Sequence, residues 1–477
     1  MSEDSENDDS SERSLSSGEQ YFPEESTLIL DCGGTGVREV KNNYAGPPMK
    51  SPGKAIGDSH VLRKLEIILS LSDEGGKYIG VDELFHGISR NRSIERLVLK
   101  TNDAIEPKLD IFQALIPFFE HNDKLSCIDL EGPRSWALKS LALALPACKN
   151  TPLKRINLTN TEASDETFAR LFGSLSNVHS LTELCIKETR LGREGGEGLA
   201  HLLQHSDSNL HRLVIYSAQL DDERLVCLGN ALAVNKTLKY LDLNMDVSIS
   251  MEGWKGFSQC LKNPYSALET LRIQDYNGAY DDDRDDDDHD HDDEASEMVA
   301  AIVRALEGNL TLKTLDIGYD DYETSMRLWV WEVFDQVLCD RTSIAGTHSS
   351  NHTLQEVMIY GLFRVCEEDY EDDDYSDFGG LGILNLRNSL HVNKNDNKSE
   401  VAREKILERH FARARGNTDV AQVFSSAPDS VLVHAIEWIG RDDLGYSVMN
   451  DFVRGFPQLF GDRSVIMQDV ADRKRKR

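Results

Sequence analysis

The chain has 477 residues, 39% apolar and 28% charged, with a formal net charge of −31. That length holds one large domain or two to four ordinary ones, and the composition lets most of it bury a core. So acidic a chain is repelled by free nucleic acid and anionic membranes and attracts basic partners.

The acidity is local. Residues 1–25 carry a net −8, residues 281–294 a net −10 and residues 367–377 a net −8, leaving −5 for everything else. Eight cysteines (Cys32, Cys127, Cys148, Cys185, Cys227, Cys260, Cys339, Cys366) are scattered with no C-x-x-C pair. Neither a disulfide framework nor a zinc knuckle is indicated. The polar start, MSEDSENDDSSERS, is neither a signal nor a transit peptide, and no apolar run approaches the roughly 20 residues that span a bilayer. Reduced cysteines without an export signal predict the cytoplasm or nucleus.

Residues 1–26 are Ser- and acid-rich and read as a disordered tail. Ser5 and Ser16 there sit in S-x-x-[DE] contexts that suit acid-directed kinases. Residues 27–61 are expected to form an N-terminal cap and linker. The stretch LILDCGGTGVREV, residues 28–40, reads as a strand and a glycine turn. It also resembles the first phosphate loop of the sugar-kinase fold, which would give roles to Asp31, Gly33, Gly34 and Thr35. That fold needs two large lobes and a second loop, and the repeats that follow leave no room for them. Residues 41–60 read as a loop from their Pro, Gly and Asn content.

Residues 62–386 carry an internal repeat, apolar-x-x-apolar-x-apolar. It appears as LRKLEI from Leu62, IERLVL from Ile94, LSCIDL from Leu125, LKRINL from Leu153 and LTELCI from Leu181. It returns as LHRLVI from Leu210, LKYLDL from Leu238, LETLRI from Leu268, LKTLDI from Leu312 and LQEVMI from Leu354. Six successive spacings fall between 28 and 31 residues, and longer ones of 44 and 42 coincide with padding. Each unit switches from strand to helix periodicity, as where Leu184 and Ile186 are followed by Leu199, Leu202 and Leu203. Acids open several of the helices, at the positive end of the dipole. One strand and one helix cannot bury their apolar sides alone, but stacked units can. The N-x-[ST] sequences at Asn235 and Asn309 lie in the turn before a strand and carry no glycosylation meaning in a reduced compartment.

These repeats resemble the leucine-rich-repeat family, in the ribonuclease-inhibitor-like form. The resemblance implies an α/β class fold: a right-handed solenoid, or horseshoe, of about ten repeats. Parallel strands would line the concave side and helices the convex side, with a helical C-terminal cap. The Asn or Cys usual after the strand is replaced by Thr189 in repeat five and Ala218 in repeat six.

Acidic insertions interrupt the repeats at 275–296 and 366–379. His289 and His291 stand among aspartates, but an acidic strip without fixed geometry or an EF-hand glycine predicts no dedicated metal site. After the repeats, 387–466 reads as a helical cap, with Ser399 as the N-cap of SEVAREKILERHFARARG. Residues 467–477 form a basic tail, and RKRKR at 473–477 suits a nuclear-import address.

There is no Ser-His-Asp order, H-E-x-x-H or P-loop, so neither an enzyme nor a cofactor is expected. Function then falls to surfaces. On the strands, side chains between the apolar positions point to the concave side. Tyr216, Tyr240, Asp242, Arg272, Asp316 and Tyr360 are the candidate contacts, since Tyr and Arg dominate many interfaces. The acidic segments leave the same end of adjacent strands and would form a rim of Asp281, Asp285, Asp288, Asp320, Asp321, Asp372 and Asp373, with tyrosines interleaved. The reading is a monomeric, non-enzymatic interaction scaffold for a protein with a basic surface, of the histone or ribosomal kind. The Ran GTPase-activating protein is similar in joining such repeats to an acidic segment, which implies a small-GTPase regulator as the alternative. A kinase built on Asp31–Thr35 is the third.

Overall fold

The computed structural model describes residues 27–33, 36–42, 52–69, 81–101, 111–245, 249–264, 266–275, 290–319, 328–360, 363–364 and 380–411. Their strands are β1 (Thr27–Gly33), β2 (Gly36–Asn42), β3 (Lys64–Leu69), β4 (Arg96–Thr101), β5 (Cys127–Glu131), β6 (Arg155–Thr159) and β7 (Glu183–Lys187). They continue as β8 (Arg212–Tyr216), β9 (Tyr240–Met245), β10 (Thr270–Asp275), β11 (Thr314–Tyr319), β12 (Glu356–Tyr360) and β13 (Phe363–Arg364). All lie in one sheet, in the order β13 to β3 followed by β1 and β2. The run from β3 to β12 is parallel, and β1 joins it in parallel beside β3. Antiparallel β2 and β13 close the two ends. The β1–β2 hairpin, over the stretch read as a strand and glycine turn, is thus continuous with the repeat sheet.

The pattern LxxLxL explains this sheet. In β6, Ile156 and Leu158 are fully buried while Arg155, Asn157 and Thr159 are only partly covered. Helices then close over the buried side. In the helix Asp165–Leu175, Phe168, Leu171, Phe172 and Leu175 recur at helical spacing and are buried. The helix Arg193–Gln204 buries Leu199, Leu202 and Leu203 in the same way. Each such side chain contributes about 2–3 kcal/mol when removed from water. The result is one core that runs the length of the sheet. On the opposite face, alternate positions of β6 to β8 are only partly covered, whereas Glu66, Val98, Cys127 and Asp129 of β3 to β5 are buried.

Turns are locked from one repeat to the next. The Asn91 amide donates to the carbonyls of Ile56 and Ser59, while its oxygen accepts from the N–H groups of Ser93 and Ile94. Asn122, Asn235, Asn309 and Asn351 repeat the arrangement. The N-x-[ST] sequences at Asn91, Asn235, Asn309 and Asn351 are therefore buried turns that tie neighbouring repeats together. After the strands, Gly132, Asn160, Glu188 and Ser217 adopt left-handed φ and each donates its N–H to the end of the next strand. Thr189 takes over the loop role of the usual Asn: its hydroxyl donates to the Lys187 carbonyl at 2.7 Å and accepts from Thr161 N–H at 3.3 Å.

Four expectations need correction. The stretch 41–60 contains a helix, Pro52–Asp58, rather than only loop. Proline suits its first turn, Ile56 is buried, and Gly53 and Gly87 let it lie against the helix Val81–Ile88. The acidic insertion 275–296 ends in helix, because the helix Asp290–Ala305 starts within the acid run. Acids at that end are favoured by the helix dipole. The boundary at 386/387 falls inside the helix Gly380–Asn393. Finally, Ser399 lies inside the helix Lys398–Ile406, and the Asn397 oxygen accepts from Glu400 N–H at 3.4 Å instead. The remainder of the expected cap, the basic tail 467–477 and the acidic tail 1–26 lie outside the described residues.

Candidate interaction surface on the open face of the sheet

The open face is built from the strand positions that alternate with the core. Parallel register stacks them in rows. One row runs Cys127, Arg155, Glu183, Arg212, Tyr240, Thr270, Thr314, Glu356. The next, two residues on, includes Asp129, Asn157, Cys185, Val214, Asp242, Arg272, Asp316 and Met358.

Charges along these rows pair between strands. Lys100 stands 3.3 Å from Glu66 and 2.9 Å from Glu131, whose hydrogen bond raises the lysine above its usual range. Arg96 and Asn157 both hold Asp129. Arg155 meets Glu183 at 2.6 Å. Farther along, the Arg212 guanidinium lies 3.7 Å over the Tyr240 ring, and the Tyr240 hydroxyl donates to Asp242 at 3.2 Å. Arg272 then bridges two carboxylates, Asp316 at 3.1 Å and Asp242 at 3.9 Å.

Asp316 is only 6% exposed at its side chain, and its Oδ1 finds no hydrogen-bond partner among the described residues. Burial pushes its carboxyl up to about 6, and burial also raises Asp242. Burial acts the same way on the thiols of this face, raising Cys127 to about 12 and raising Cys185 as well.

The structure therefore brings five of the expected residues onto one surface. Tyr216, Tyr240, Asp242, Arg272 and Asp316 occupy β8 to β11, and Tyr216 is 37% exposed. Tyr360 ends β12, opposite Gly318, but its side chain is not among those described. Asp281, Asp285, Asp288, Asp320, Asp321, Asp372 and Asp373 lie outside the described residues. The strands that precede their segments do end side by side, with Asp275 in register with Tyr319. Missed from sequence were the Arg212–Tyr240 stack and the network of Glu66, Arg96, Lys100 and Asp129. The signal was present, since Arg155, Glu183 and Arg212 alternate in sign at one repeat position.

No family model matches the chain. Over 215 residues it is 27% identical to "NACHT, LRR and PYD domains-containing protein 14" of Mus musculus, covering 45% of this chain and 21% of that one. It is 26% identical over 187 residues to the mouse protein 5 of the same designation, covering 38% of this chain and 16% of the relative. Human protein 13 matches at 26% over 218 residues, 45% of this chain and 19% of the relative. The parallel sheet and its repeat period fit a leucine-rich-repeat protein, and these relatives carry LRR in their designation. The chain is a leucine-rich-repeat protein. The match spans only about a fifth of each relative's length, so what those whole proteins do is not carried over. An internalin from Listeria monocytogenes aligns with this leucine-rich-repeat chain at 13% identity over 57% of it and 85% of the internalin, with a TM-score of 0.21. An overlap that low adds nothing to the fold. Among the described residues, no helix is long and apolar enough to cross a membrane.

Proposed function

We propose that this leucine-rich-repeat protein is a non-enzymatic, monomeric scaffold that holds a protein partner on its open, concave face. The observation that carries the reading is the surface of β8 to β11. There an exposed tyrosine, a guanidinium stacked on a second tyrosine and two carboxylates bridged by Arg272 stand on the face of the sheet turned away from the core. Aromatic and arginine side chains on a rigid frame suit protein recognition, because little freedom is lost when they are buried.

In the same proposal, the acidic segments after β10, β11 and β12 attract a basic surface. Their charge speeds encounter and fades with salt, since exposed charges are screened beyond about 8 Å at physiological ionic strength. The 473–477 run serves as a nuclear address.

Affinity capture followed by mass spectrometry tests this, using the intact chain and a variant lacking 281–294 and 367–377. Partner recovery should fall with the deletion and, for the intact chain, with moderate salt. Unchanged recovery after deletion overturns the rim. A GTP-hydrolysis assay with small GTPases separates the scaffold from a GTPase regulator, and a scaffold gives no acceleration.

A further inference from the structure

The edge of the sheet where the repeat strands begin is basic at its N-terminal end. Residues 58–64, 90–96, 121–127 and 149–155 are the turns and first strand positions of repeats one to four. They carry nine cations and three acids, a net +6 in a chain of net −31. The corresponding positions of repeats five to seven, 177–183, 206–212 and 234–240, carry a net +1. Those of repeats eight to ten, 264–270, 308–314 and 350–356, carry a net −1.

Part of this charge is already matched. Glu66, Asp129 and Glu183 reach Lys64, Arg96 and Arg155 from the open face, and Arg63 pairs with Glu95 at 2.8 Å. With those three acids of the face included, the edge keeps a net +3. Lys124 meets Asp123 only at 3.8 Å, with both side chains more than half exposed. Arg92 and Lys154 are exposed and have no ion pair among the described residues.

The acidic N-terminal segment joins the sheet at this same place. Thr27, the first residue of β1, is in parallel register with Lys64 of β3. Residues 1–26, with a net charge of −8, therefore enter beside Arg63 and Lys64. The other acidic runs follow β10 and β12, at the opposite ends of the strands and in the last repeats. Reach is ample. Neighbouring strands are about 4.8 Å apart, so β6, four strands from β1, begins roughly 19 Å away. The segment 1–26 spans up to roughly 86 Å when extended.

We propose that the N-terminal segment 1–26 lies along the basic edge of repeats one to four, with its carboxylates against Arg63, Arg92, Lys124 and Lys154. Each exposed pair contributes little, but a tethered segment acts at an effective concentration of about a millimolar, so several weak pairs suffice. Placed there, the segment withholds the basic edge from other anions. The contact concerns the edge of the sheet and not its open face, so it stands or falls apart from the scaffold reading.

Zero-length carbodiimide crosslinking of the full chain, read by peptide mass spectrometry, tests this. Carboxylates of 1–26 should join Lys124 and Lys154. They should not join Lys255, which is as exposed as Lys124 but lies on the helix Met251–Ser258. The products should be lost in about 1 M salt, where charges are screened beyond about 3 Å. Arg92→Glu, on an exposed turn, should lower the yield about two- to fivefold, the worth of one surface charge pair. A mixture of isotope-labelled and unlabelled chains separates bonds within one molecule from bonds between two. Crosslinks only between copies would put a second copy on the edge and overturn the inference. So would the absence of products at Lys124 and Lys154, an equal yield at Lys255, or yields indifferent to salt. A second measurement uses poly-glutamate as the probe for an acidic partner. The full-length chain with the nine acids of 1–26 changed to Asn or Gln should bind this probe several-fold more tightly than the unaltered chain. Equal affinity would mean that the edge is open to an acidic partner in the unaltered chain, and would overturn the inference.

Discussion

The carboxylate of Asp165 occupies the space beside Gly192 where a side chain would otherwise stand. A Cβ on Gly192 would lie 2.2 Å from Asp165 Oδ2. Asp165 belongs to the helix of one repeat, yet it accepts from the N–H groups of Glu194 and Gly195, at 3.0 and 3.3 Å, in the first turn of the next helix. Asp222 does the same two repeats later, accepting from Ser250 N–H at 2.9 Å, with Gly253 leaving the room. Acids at helix starts therefore serve the neighbouring repeat's helix as well as their own dipole.

Gly192→Ala should cost about 1–3 kcal/mol through overpacking, and Asp165→Ala about 1 kcal/mol through the lost cap. Urea unfolding of the two variants and their double mutant checks this. The double mutant should cost less than the sum, because the alanine at 192 no longer meets a carboxylate.

Asn351 is buried, and its side chain hydrogen-bonds across two turns: to the carbonyls of Leu306 and Asn309, and from the N–H groups of Thr353 and Leu354 and the Thr353 hydroxyl. Asn351→Ala leaves those backbone groups without their partner and should cost about 2–4 kcal/mol. Thermal unfolding measures it. Hydrogen exchange should locate the loss in the turns on both sides of the substitution.

At the C-terminal end, Lys405 is 1% exposed, and its ammonium donates to the carbonyls of Leu338 and Asn351 at 2.6 and 3.0 Å. Burial lowers this lysine to about 7, and burial lowers the adjacent His352 to about 3. In both cases the unfolded chain binds more protons between the folded and unfolded values. Stability contributed by these groups therefore rises with pH, from about 3 to 6.5 for His352 and from about 7 to 10.5 for Lys405. Exchange protection of the helix Lys398–Ile406 should increase by about 2 kcal/mol between pH 7 and 9. Lys405→Met should abolish that increase.

Asp316 has the opposite sign. Its carboxyl titrates at about 6 in the fold, against 3.8 as the ordinary value. Between those values the folded chain binds more protons, so this group's contribution to stability improves as pH falls from 6 towards 4. Relative to the unaltered chain, Asp316→Asn should gain about 1–3 kcal/mol on going from pH 4 to pH 7. Stability curves of the two proteins at both pH values give that difference.

The repeat strands could be read from the sequence because their signal is local: two apolar positions in every strand must face the core. The helix Pro52–Asp58 could not, because its glycines say loop and only contact with the helix Val81–Ile88 makes them useful. The same holds for Asp165 and Asp222, whose carboxylates act on residues 28–30 positions away. On the open face, Tyr216, Tyr240, Asp242, Arg272 and Asp316 followed from alternation alone. That one oxygen of Asp316 lacks a donor depends on the register of β9 to β12 and is written in no single repeat.

Site-specific photocrosslinking tests the central claim most directly. Benzoylphenylalanine is placed at Tyr216 on the open face and, separately, at Leu143, which is 64% exposed on the helix Ser135–Ala144 of the opposite side. A scaffold that works through its open face predicts crosslinks to the captured partner from position 216 and none from 143. Crosslinks from 143 alone would contradict it.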